Sequence, residues 1–288
     1  MNKLKREKEV TTALSYLHPN SKTFEFCAMK PKVKKSELWG NEPVTGSSII
    51  SGWFHDHKKV ANIVKEFSKV NPDGTFVSLN PCIKELEARA NGKLKANINR
   101  TKDSDICKLT NFLIDVDAKR PSGISSSDRE HKTAINTAKQ IRRFLKKKSW
   151  PSPLMVDSGN GAQLIYKIDL KNTDQNKFLL KSNLETLAQK FNSEKVNIDT
   201  SVHNPSRLIR LPGTYNRKGD NSSKRPHRRA KILFMPKKIK LVKTKRLQKL
   251  ASTKREVKNK FEDVIQLESK PNLMDVPAYL NNSYSFSL

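Results

Sequence analysis

The order of apolar and polar positions predicts a body in which short strands are interspersed with longer helices. Apolar runs typical of strands occupy the following short segments: 23–29, 48–54, 75–80, 111–117, 153–159, 162–168, 197–202, 207–211 and 230–234. Apolar residues at helical spacing occupy three longer segments, 58–70, 125–148 and 175–191. Because the chain has no repeat and no regular βαβ alternation, this order predicts an α+β fold with a partly antiparallel sheet.

Local signals mark where some of these elements begin. A serine at 126–127 followed by acids is typical of a helix N-cap, and it fits the start of the 125–148 helix. Asp56 is expected to cap the helix that follows it. The Gly-Asn-Gly turn at 159–161 lies between two strand-like runs and predicts a hairpin.

The distribution of charge divides the chain. Its 288 residues include 57 Lys and Arg against 28 Asp and Glu, a net charge of +29. Residues 224–260 hold 16 of the basic residues and one acid, Glu256. We therefore expect a folded body at 1–235, followed at 236–288 by a basic extension that is helical or partly disordered.

The composition also bears on partners and compartment. A positive surplus of this size indicates a polyanionic partner, either nucleic acid or an anionic membrane. No apolar run approaches the roughly 20 residues needed to cross a bilayer, and the N-terminus has no apolar signal region, so we expect no membrane segment and a cytoplasmic location. Cys27, Cys82 and Cys107 form neither a C-x-x-C pair nor an even set, which is typical of a reducing compartment. The chain contains no G-x-x-x-x-G-K-[ST] phosphate loop.

The strongest chemical signal is the pair of acids that ends the 111–117 run. Residues two apart in a strand point to the same face, so Asp115 and Asp117 are expected to project together. Neighbouring carboxylates suit Mg²⁺ or Mn²⁺ that carries phosphates. The alternative is an acidic strand end that binds no metal.

Two further clusters supply the other parts of such a site. The segment 197–220 holds one acid and several polar and basic residues, namely Asp199, Arg207, Arg210, Asn216 and Lys218. Carboxylates hold a metal while Arg and Lys clamp phosphates. In the turn at 159–161, glycines allow backbone N–H groups to approach a phosphate closely.

Three motifs in this order resemble the archaeo-eukaryotic primase superfamily, most closely the primase (primase–polymerase) domains of phage and mobile-element replication proteins. The motifs are FLIDVDAKRPSGISSSD, WPSPLMVDSGNGAQLIYKIDL and VNIDTSVHNPSRLIRLPGTYNRKGDNSSKRPHRR. The resemblance covers roughly residues 10–235. It implies that 1–235 is a primase–polymerase-like catalytic domain, in which an N-terminal αβ unit packs on a module related to the RNA-recognition motif.

The resemblance also implies an activity and its partners. The activity is two-metal nucleotidyl transfer with Mg²⁺ or Mn²⁺, nucleoside triphosphates as substrates and single-stranded DNA as template. Larger relatives often append a helicase, which is missing here, so the resemblance implies either a standalone module or one part of a divided system with a separate replicative helicase. The implied location is the cytoplasm of a prokaryotic host cell.

Individual roles carry over by position. Asp115, Asp117 and Asp199 match the catalytic acids that bind the metals. Residues expected to contact the nucleotide are Ser158, Gly159, Gly161, Gln163, Arg207, Arg210 and Lys218. Many relatives have a histidine where this chain has Gln163, and glutamine can donate a hydrogen bond but carries no charge. In the basic extension, the residues expected to contact nucleic acid are Lys237, Lys238, Lys240, Lys243, Lys245 and Arg246.

Several of these residues have a structural alternative. Asp199 on its own would suit a helix cap, Arg207 and Arg210 would suit the solvated surface, and Asn216 and Lys218 would suit a turn.

Other residues are expected to be purely structural. We reject His55-Asp56-His57 as a nuclease-type histidine pair, because the middle residue is polar and suits a cap. The remaining histidines lack ligand spacing and are expected at the surface: His18, His131, His203 and His227. The tryptophans are expected in the core: Trp39, Trp53 and Trp150.

Three functions remain open from the sequence. The leading hypothesis is a metal-dependent primase–polymerase that makes primers on single-stranded DNA during replication of a phage, plasmid or other mobile element. The second is a non-catalytic nucleic-acid-binding replication factor on the same fold. The third is a metal-dependent nuclease, which would use the same acids but would not need cations to clamp a triphosphate.

Overall fold

The computed structural model describes residues 3–45, 49–67 and 69–252, with side chains from residue 6 onward. The helices are α1 (Lys3–Leu17), α2 (His57–Glu66), α3 (Glu87–Ala90), α4 (Asp128–Lys147) and α5 (Asp174–Phe191). The strands are β1 (Phe24–Met29), β2 (Ile49–Phe54), β3 (Gly74–Ser78), β4 (Lys95–Ala96), β5 (Lys108–Ala118), β6 (Leu154–Asp157), β7 (Gly161–Lys171), β8 (Val196–Ile198), β9 (Leu208–Arg210), β10 (Tyr215–Asn216), β11 (Arg228–Arg229) and β12 (Lys231–Phe234). Residues 244–252 are also helical.

The strands form two five-stranded antiparallel sheets and one short hairpin. The first sheet has the order β4-β2-β1-β3-β9 and the second has the order β12-β6-β7-β5-β8, while β10 pairs with β11. Along the chain the second sheet runs β5-α4-β6-β7-α5-β8, which is a split βαβ arrangement. The predicted mixture of helices and antiparallel strands is therefore confirmed.

Most elements lie where the apolar pattern predicts them. Asp56 accepts hydrogen bonds from the amides of Lys58 and Lys59, so its predicted role as the cap of α2 is confirmed. Ser127 caps α4 and forms a capping box with Glu130, as the serine-plus-acid pattern predicts. The apolar pattern predicts no element for the N-terminal segment, which forms α1.

The two sheets share one hydrophobic core. The predicted burial of the three tryptophans is confirmed, since Trp39, Trp53 and Trp150 are all buried. The surface prediction for His18 is wrong, because its ring is buried against Phe24 and its Nε2 lies 2.8 Å from the carbonyl oxygen of Ser78. Burial lowers the pKa of His18 to about 3, so the ring is neutral at ordinary pH.

A polar link joins the sheets at the start of β5. The side-chain oxygen of Asn80, just after β3, accepts hydrogen bonds from the amides of Thr110 and Asn111 at 2.9 and 3.1 Å. The β5–β7 register shifts between Leu109 and Asn111, so the strand bulges at the residues bonded to Asn80. This link fixes β5 relative to the first sheet.

The described part of the basic extension packs on the body. Val242, Leu247 and Leu250 are buried in the shared core, and the amide of Val242 donates to the carbonyl oxygen of Lys167 at 2.8 Å. Leu241 is 54% exposed. The expected boundary at 235 therefore cuts through packed structure, while residues 253–288 lie outside the described part. Within the described residues, no helix is long and apolar enough to span a bilayer.

Candidate active site between the two sheets

The carboxylates of the first and third motifs lie on neighbouring strands. In β5, Val116 pairs with Ile198 of β8 and Asp117 pairs with Asn197. The amide of Asp199 donates to the carbonyl oxygen of Asp115 at 3.0 Å, which continues this register beyond the end of β8. Directly opposed residues of antiparallel strands share a face, with Cβ atoms about 4.5–5.5 Å apart. The three acids therefore project from one corner of the second sheet.

Gln163 lies on the other side of Asp115, in β7. The register pairs these two residues, and Gln163 Nε2 donates to Asp115 Oδ2 at 3.3 Å. The Oε1 atom of Gln163 is buried and has no hydrogen-bond partner among the residues that the structure describes. An unpartnered buried acceptor beside a carboxylate suits a ligand that brings its own donor, such as a metal-bound water or a sugar hydroxyl.

Gly161 allows β7 to approach β5 closely beside the acids. It pairs with Asp117, and a Cβ at this position would collide with the Val116 carbonyl oxygen and lie 2.8 Å from Asp117 Oδ1. The glycine therefore has a structural role at the site, besides the nucleotide contact predicted for it.

Two of the three carboxylate groups have partners outside the group of acids. Asp199 Oδ1 accepts a hydrogen bond from the amide of Ser201 at 2.8 Å and caps the short 3₁₀ helix Thr200–His203. Asp117 Oδ1 lies 3.6 Å from Arg120 Nη1. Among the residues that the structure describes, no three His, Cys, Asp or Glu side chains are arranged to hold a metal ion. Joint metal binding by Asp115, Asp117 and Asp199 remains a prediction and requires rotation of these side chains.

The electrostatics of Asp115 indicate a site short of positive charge. Desolvation raises the pKa of Asp115 far above its ordinary value, and the neighbouring Asp117 and Asp199 raise it further. The hydrogen bond from Gln163 and the charge of Arg207 act in the opposite direction. Asp115 keeps some contact with solvent, which moderates the shift. Carboxylates that disfavour one another's charge are typical of functional sites that bind a cation.

Arg210 lies in the first sheet, near enough to the acidic corner for the charge of Asp115 to act on its pKa. It is 9% exposed, its guanidinium stacks 4.2 Å from the centroid of the Phe76 ring, and its Nη1 lies 3.4 Å from the Asp73 carbonyl oxygen. A Cβ on Gly74 would collide with the guanidinium, so this glycine makes room for it. Burial lowers the pKa of Arg210 to about 10, opposed by charges that include Asp115, and the side chain stays cationic at neutral pH. Surface placement of Arg210 is therefore wrong.

Arg207 is anchored near Asp199. Its Nη2 donates to the Ser201 carbonyl oxygen at 2.8 Å, while its Nε is buried without a hydrogen-bond partner. The segment that follows β8 thus carries Asp199, Arg207 and Arg210 in passing from the second sheet to the first.

The Ser158–Gly161 turn is closed by its own hydrogen bonds. The amide of Ser158 donates to the Gly161 carbonyl oxygen, that of Gly159 to Asp157 Oδ1, and that of Gly161 to Ser158 Oγ. The amides of Ser158, Gly159 and Gly161 are therefore engaged and are not free to form the phosphate cradle that the glycines suggested. Nucleotide contacts by Ser158, Gly159 and Gly161 remain predictions that rest on side-chain or carbonyl atoms.

Asn216 and Lys218 lie beside this turn. Asn216 Nδ2 donates to the Ser158 carbonyl oxygen at 3.0 Å, so the alternative that Asn216 stabilises a turn is correct. The backbone of Lys218 bonds to Asn216 and Ser125, and its side chain is exposed. Lys218 is therefore free to reach a phosphate, which remains a prediction.

The basic run divides into two parts. Its first arginines form ion pairs within the body: Arg225 with Glu130, Arg228 with Asp128 and Arg229 with Glu9. The predicted nucleic-acid contacts further along are exposed at Lys237, Lys238, Lys240, Lys243 and Lys245, and half-buried at Arg246.

Sequence reasoning missed two residues of the site. Asn197 opposes Asp117 across the β5–β8 pair, and Asp73 provides the carbonyl that contacts Arg210. The position of Asn197, two residues before Asp199, would have placed it on the same face by strand periodicity. No local signal connects Asp73 to the site.

The residues present suit Mg²⁺ or Mn²⁺. The donor set consists of hard carboxylate and amide oxygens, and the repulsion among the acids would be relieved by a divalent cation. Because Gln163 Oε1 is buried without a partner, it could accept a hydrogen bond from a metal-bound water.

Comparison with known proteins finds a similarity in structure only. No family model matches the chain, and no curated protein sequence matches it. One similar structure is the "crystal structure of primase RepB'", with a TM-score of 0.47 and 13% identity over 92% of this chain and 69% of that chain. Another is the "catalytic domain of primase Repb' in complex with initiator DNA", with a TM-score of 0.46 and 12% identity over 88% of this chain and 98% of that chain. With identities this low, the function of this chain has to be inferred from its own residues.

Proposed function

We propose that this chain is a metal-dependent nucleotidyltransferase of the primase–polymerase type, which makes primers on single-stranded DNA. The observation that carries the proposal is the row Gln163–Asp115–Asp199 across three adjacent strands, together with the buried Arg210 of the other sheet, whose pKa responds to the charge of Asp115. Neighbouring acids and a buried cation near them are the complementary parts that a metal–triphosphate complex needs.

Each group has a distinct role in this proposal. Asp115, Asp117 and Asp199 would hold two Mg²⁺ or Mn²⁺ ions, which when bound activate the 3′-hydroxyl and neutralise charge on the pyrophosphate leaving group. Arg210 and Arg207 bind phosphate oxygens, and the stacking of Arg210 on Phe76 fixes the direction of its donors. Gln163 orients Asp115 and presents its free oxygen to the reactants.

The fold and charge are consistent with the same proposal. The split βαβ order of the sheet that carries the acids supports the proposal that this sheet belongs to a module related to the RNA-recognition motif. The net charge of +29 favours binding to a nucleic-acid backbone, including the proposed contacts of the basic extension. We place the activity in replication of a phage, plasmid or other mobile element, with a separate helicase as a further partner.

One observation favours a second candidate, a non-catalytic nucleic-acid-binding replication factor. Asp199 is engaged as a cap and Asp117 lies near Arg120, so the acids do not converge as they stand. Gln163 also provides no positive charge for a triphosphate.

A primer-synthesis assay separates the candidates. The full chain is incubated with single-stranded DNA, labelled ATP or dATP, and Mg²⁺ or Mn²⁺. The nucleotidyltransferase predicts labelled products that fall at least about 100-fold in the Asp115→Ala, Asp117→Ala double variant. The control, Glu85→Ala with Glu194→Ala, removes two exposed acids elsewhere and should retain synthesis. DNA binding without synthesis by the unaltered chain would favour the binding factor, and acid-dependent degradation of the template would indicate a nuclease.

A further inference from the structure

A second charged feature lies at the other end of β5 from the acids. One cavity of about 530 Å³ is lined by residues that include Lys22, Lys84, Lys108 and Cys107. A second cavity of about 170 Å³ is lined by residues that include Lys22, Lys108 and Lys167. Because the two cavities share Lys22 and Lys108, they adjoin, and we call them together the lysine cleft.

The positive charge of the lysine cleft exceeds its negative charge. Within the described residues, Lys22 and Lys84 form no ion pair, whereas Lys108 pairs with Asp169. The other acid of the lining, Glu87, pairs with His55 and accepts a hydrogen bond from Thr23. The two carboxylates of the cleft are therefore already engaged, while two exposed ammonium groups are not.

The floor of the cleft holds a buried lysine with neutral partners. Lys167 is 7% exposed, and its Nζ donates to the Leu17 carbonyl oxygen at 3.2 Å and to Asn111 Oδ1 at 3.0 Å. The Tyr16 ring lies 5.3 Å from the same atom. None of these groups carries a negative charge, so the cost of burying this cation would fall if an anion bound above it.

The lining also indicates which part of a polyanion would bind. It contains no Phe, Tyr or Trp on which a base could stack. A site with ammonium groups and no aromatic platform suits phosphates, which contact proteins independently of sequence. Lys108 and Asp115 are seven residues apart in one strand, which corresponds to about 23 Å.

We infer that the lysine cleft is a second nucleic-acid contact, which binds the phosphodiester backbone of a single strand about 23 Å from the acidic site. This inference rests on the nucleic-acid partner of the proposed function but not on its catalysis. A strand that reaches both places is held at two points, so affinity increases with strand length until both are occupied.

A charge-reversal pair tests the inference on the full chain. Lys22→Glu with Lys84→Glu changes two exposed side chains, and Lys132→Glu with Lys139→Glu makes the same charge change on the exposed face of α4. Binding of short and long single strands is measured by fluorescence anisotropy at several salt concentrations. Of the two double variants, only Lys22→Glu with Lys84→Glu should weaken binding of the long strand. It should also make the slope of log affinity against log salt concentration shallower by up to about 1.4. Equal losses of DNA affinity in both double variants would show that only the net charge of the protein matters, and would overturn the inference.

Cys107 provides a direct footprint without any substitution. It is exposed and lines the larger cavity, whereas Cys27 and Cys82 are buried and burial raises the pKa of both thiols. A thiol-alkylating reagent should therefore react first at Cys107. We expect saturating long single-stranded DNA to slow that reaction several-fold, and an unchanged rate on DNA-saturated protein would overturn the inference. Protection by ATP alone would instead assign the cleft to free nucleotides.

These experiments distinguish failure of the lysine-cleft inference from failure of the proposed function. A chain that binds DNA and shows Cys107 protection but makes no primers would contradict the catalytic proposal only. A chain that makes primers with unprotected Cys107 would contradict the lysine cleft only.

Discussion

Gln163 gives the acidic site a neutral neighbour where relatives of the resembled family often have histidine. Its Nε2 donates to Asp115 Oδ2, and its Oε1 is buried without a partner. The amide therefore supports the carboxylate on one side and leaves one acceptor unused. An imidazole could add positive charge at this position, which an amide cannot.

Substitution of Gln163 should change nucleotide binding by a modest amount. Gln163→Ala is expected to weaken triphosphate affinity about 2–10-fold, because a neutral hydrogen bond contributes about 0.5–1.5 kcal/mol. Gln163→His should preserve or raise affinity, and Gln163→Glu should lower it by adding repulsion to Asp115. Affinities are measured by titration with labelled ATP and Mn²⁺. Unaltered affinity in the alanine and glutamate variants would remove Gln163 from the site.

Lys167 illustrates how a buried cation makes stability depend on pH. Burial lowers its pKa to about 8 from the ordinary 10.5, and Lys22 contributes in the same direction. Between these values the unfolded chain binds more protons than the folded one, so this residue makes stability rise with pH there. Below about pH 8 both states are protonated, and the full cost of the buried charge is present.

The Lys167→Met variant isolates this effect. It removes a desolvation cost of up to about 3 kcal/mol at neutral pH, while leaving Asn111 Oδ1 and the Leu17 carbonyl without their donor. We expect the stability of the unaltered chain, relative to the variant, to increase between pH 8 and pH 10. Urea unfolding at each pH measures the difference, and parallel curves for the two proteins would contradict the assignment.

At the scale of elements, the β6–β7 hairpin and the β5–β8 pair determine where the acids lie. The amides of Ser158, Gly159 and Gly161 are bonded within or next to their turn, and Asn216 donates to the Ser158 carbonyl oxygen, so the turn serves first to hold β7 in register. Gly161 then brings β7 close to Asp117. The positions of the carboxylates thus depend on a hairpin whose turn residues need not touch a substrate.

Replacing Gly161 should disturb the acids through the backbone. The Cβ of Gly161→Ala would collide with the Val116 carbonyl oxygen, so β5 and β7 have to separate near Asp117. We expect a loss of stability of about 1–3 kcal/mol, together with weaker Mn²⁺-dependent synthesis at temperatures where the variant remains folded. Circular dichroism measures the loss of stability, and the primer assay measures the synthesis. Full synthesis and an unchanged melting temperature would show that the strands tolerate the methyl group.

At the scale of the whole molecule, one chain segment connects both parts of the site. It leaves the second sheet at β8, passes the cap at Asp199 and enters the first sheet at β9, which ends in Arg210. The shared core therefore controls the separation of the two parts. The helical segment 244–252 contributes to that core through Leu247 and Leu250.

Two leucines of the basic extension provide a matched test of this packing. Leu247 is fully buried and Leu241 is 54% exposed. Leu247→Ala should lower the free energy of unfolding by about 2–5 kcal/mol, whereas Leu241→Ala should change it by less than about 0.5 kcal/mol. Equal effects in denaturant unfolding would contradict the packing.

Truncation extends the same test to the basic extension. A chain ending at 235 loses Val242, Leu247 and Leu250, and should be less stable than a chain ending at 252. The salt dependence of DNA binding should therefore be compared only between chains that remain folded.

The sequence by itself determined the local features, because each depends on neighbouring residues and backbone geometry. Alternation placed Asp115 and Asp117 on one face, the serine-plus-acid pattern located the start of α4, and the glycines marked the hairpin. A period of two or 3.6 residues is a property of the backbone, so it can be read from the order of residues alone.

Only the tertiary structure decided which distant residues meet and which donors stay free. It buried His18 and Lys167, brought Arg210 within electrostatic range of Asp115 from the other sheet, and packed Val242 and Leu247 into the core. It also placed the cation-rich cleft at the opposite end of β5 from those acids. These outcomes depend on how two sheets share one core, and such long-range packing leaves no periodic signal in the segments that it joins.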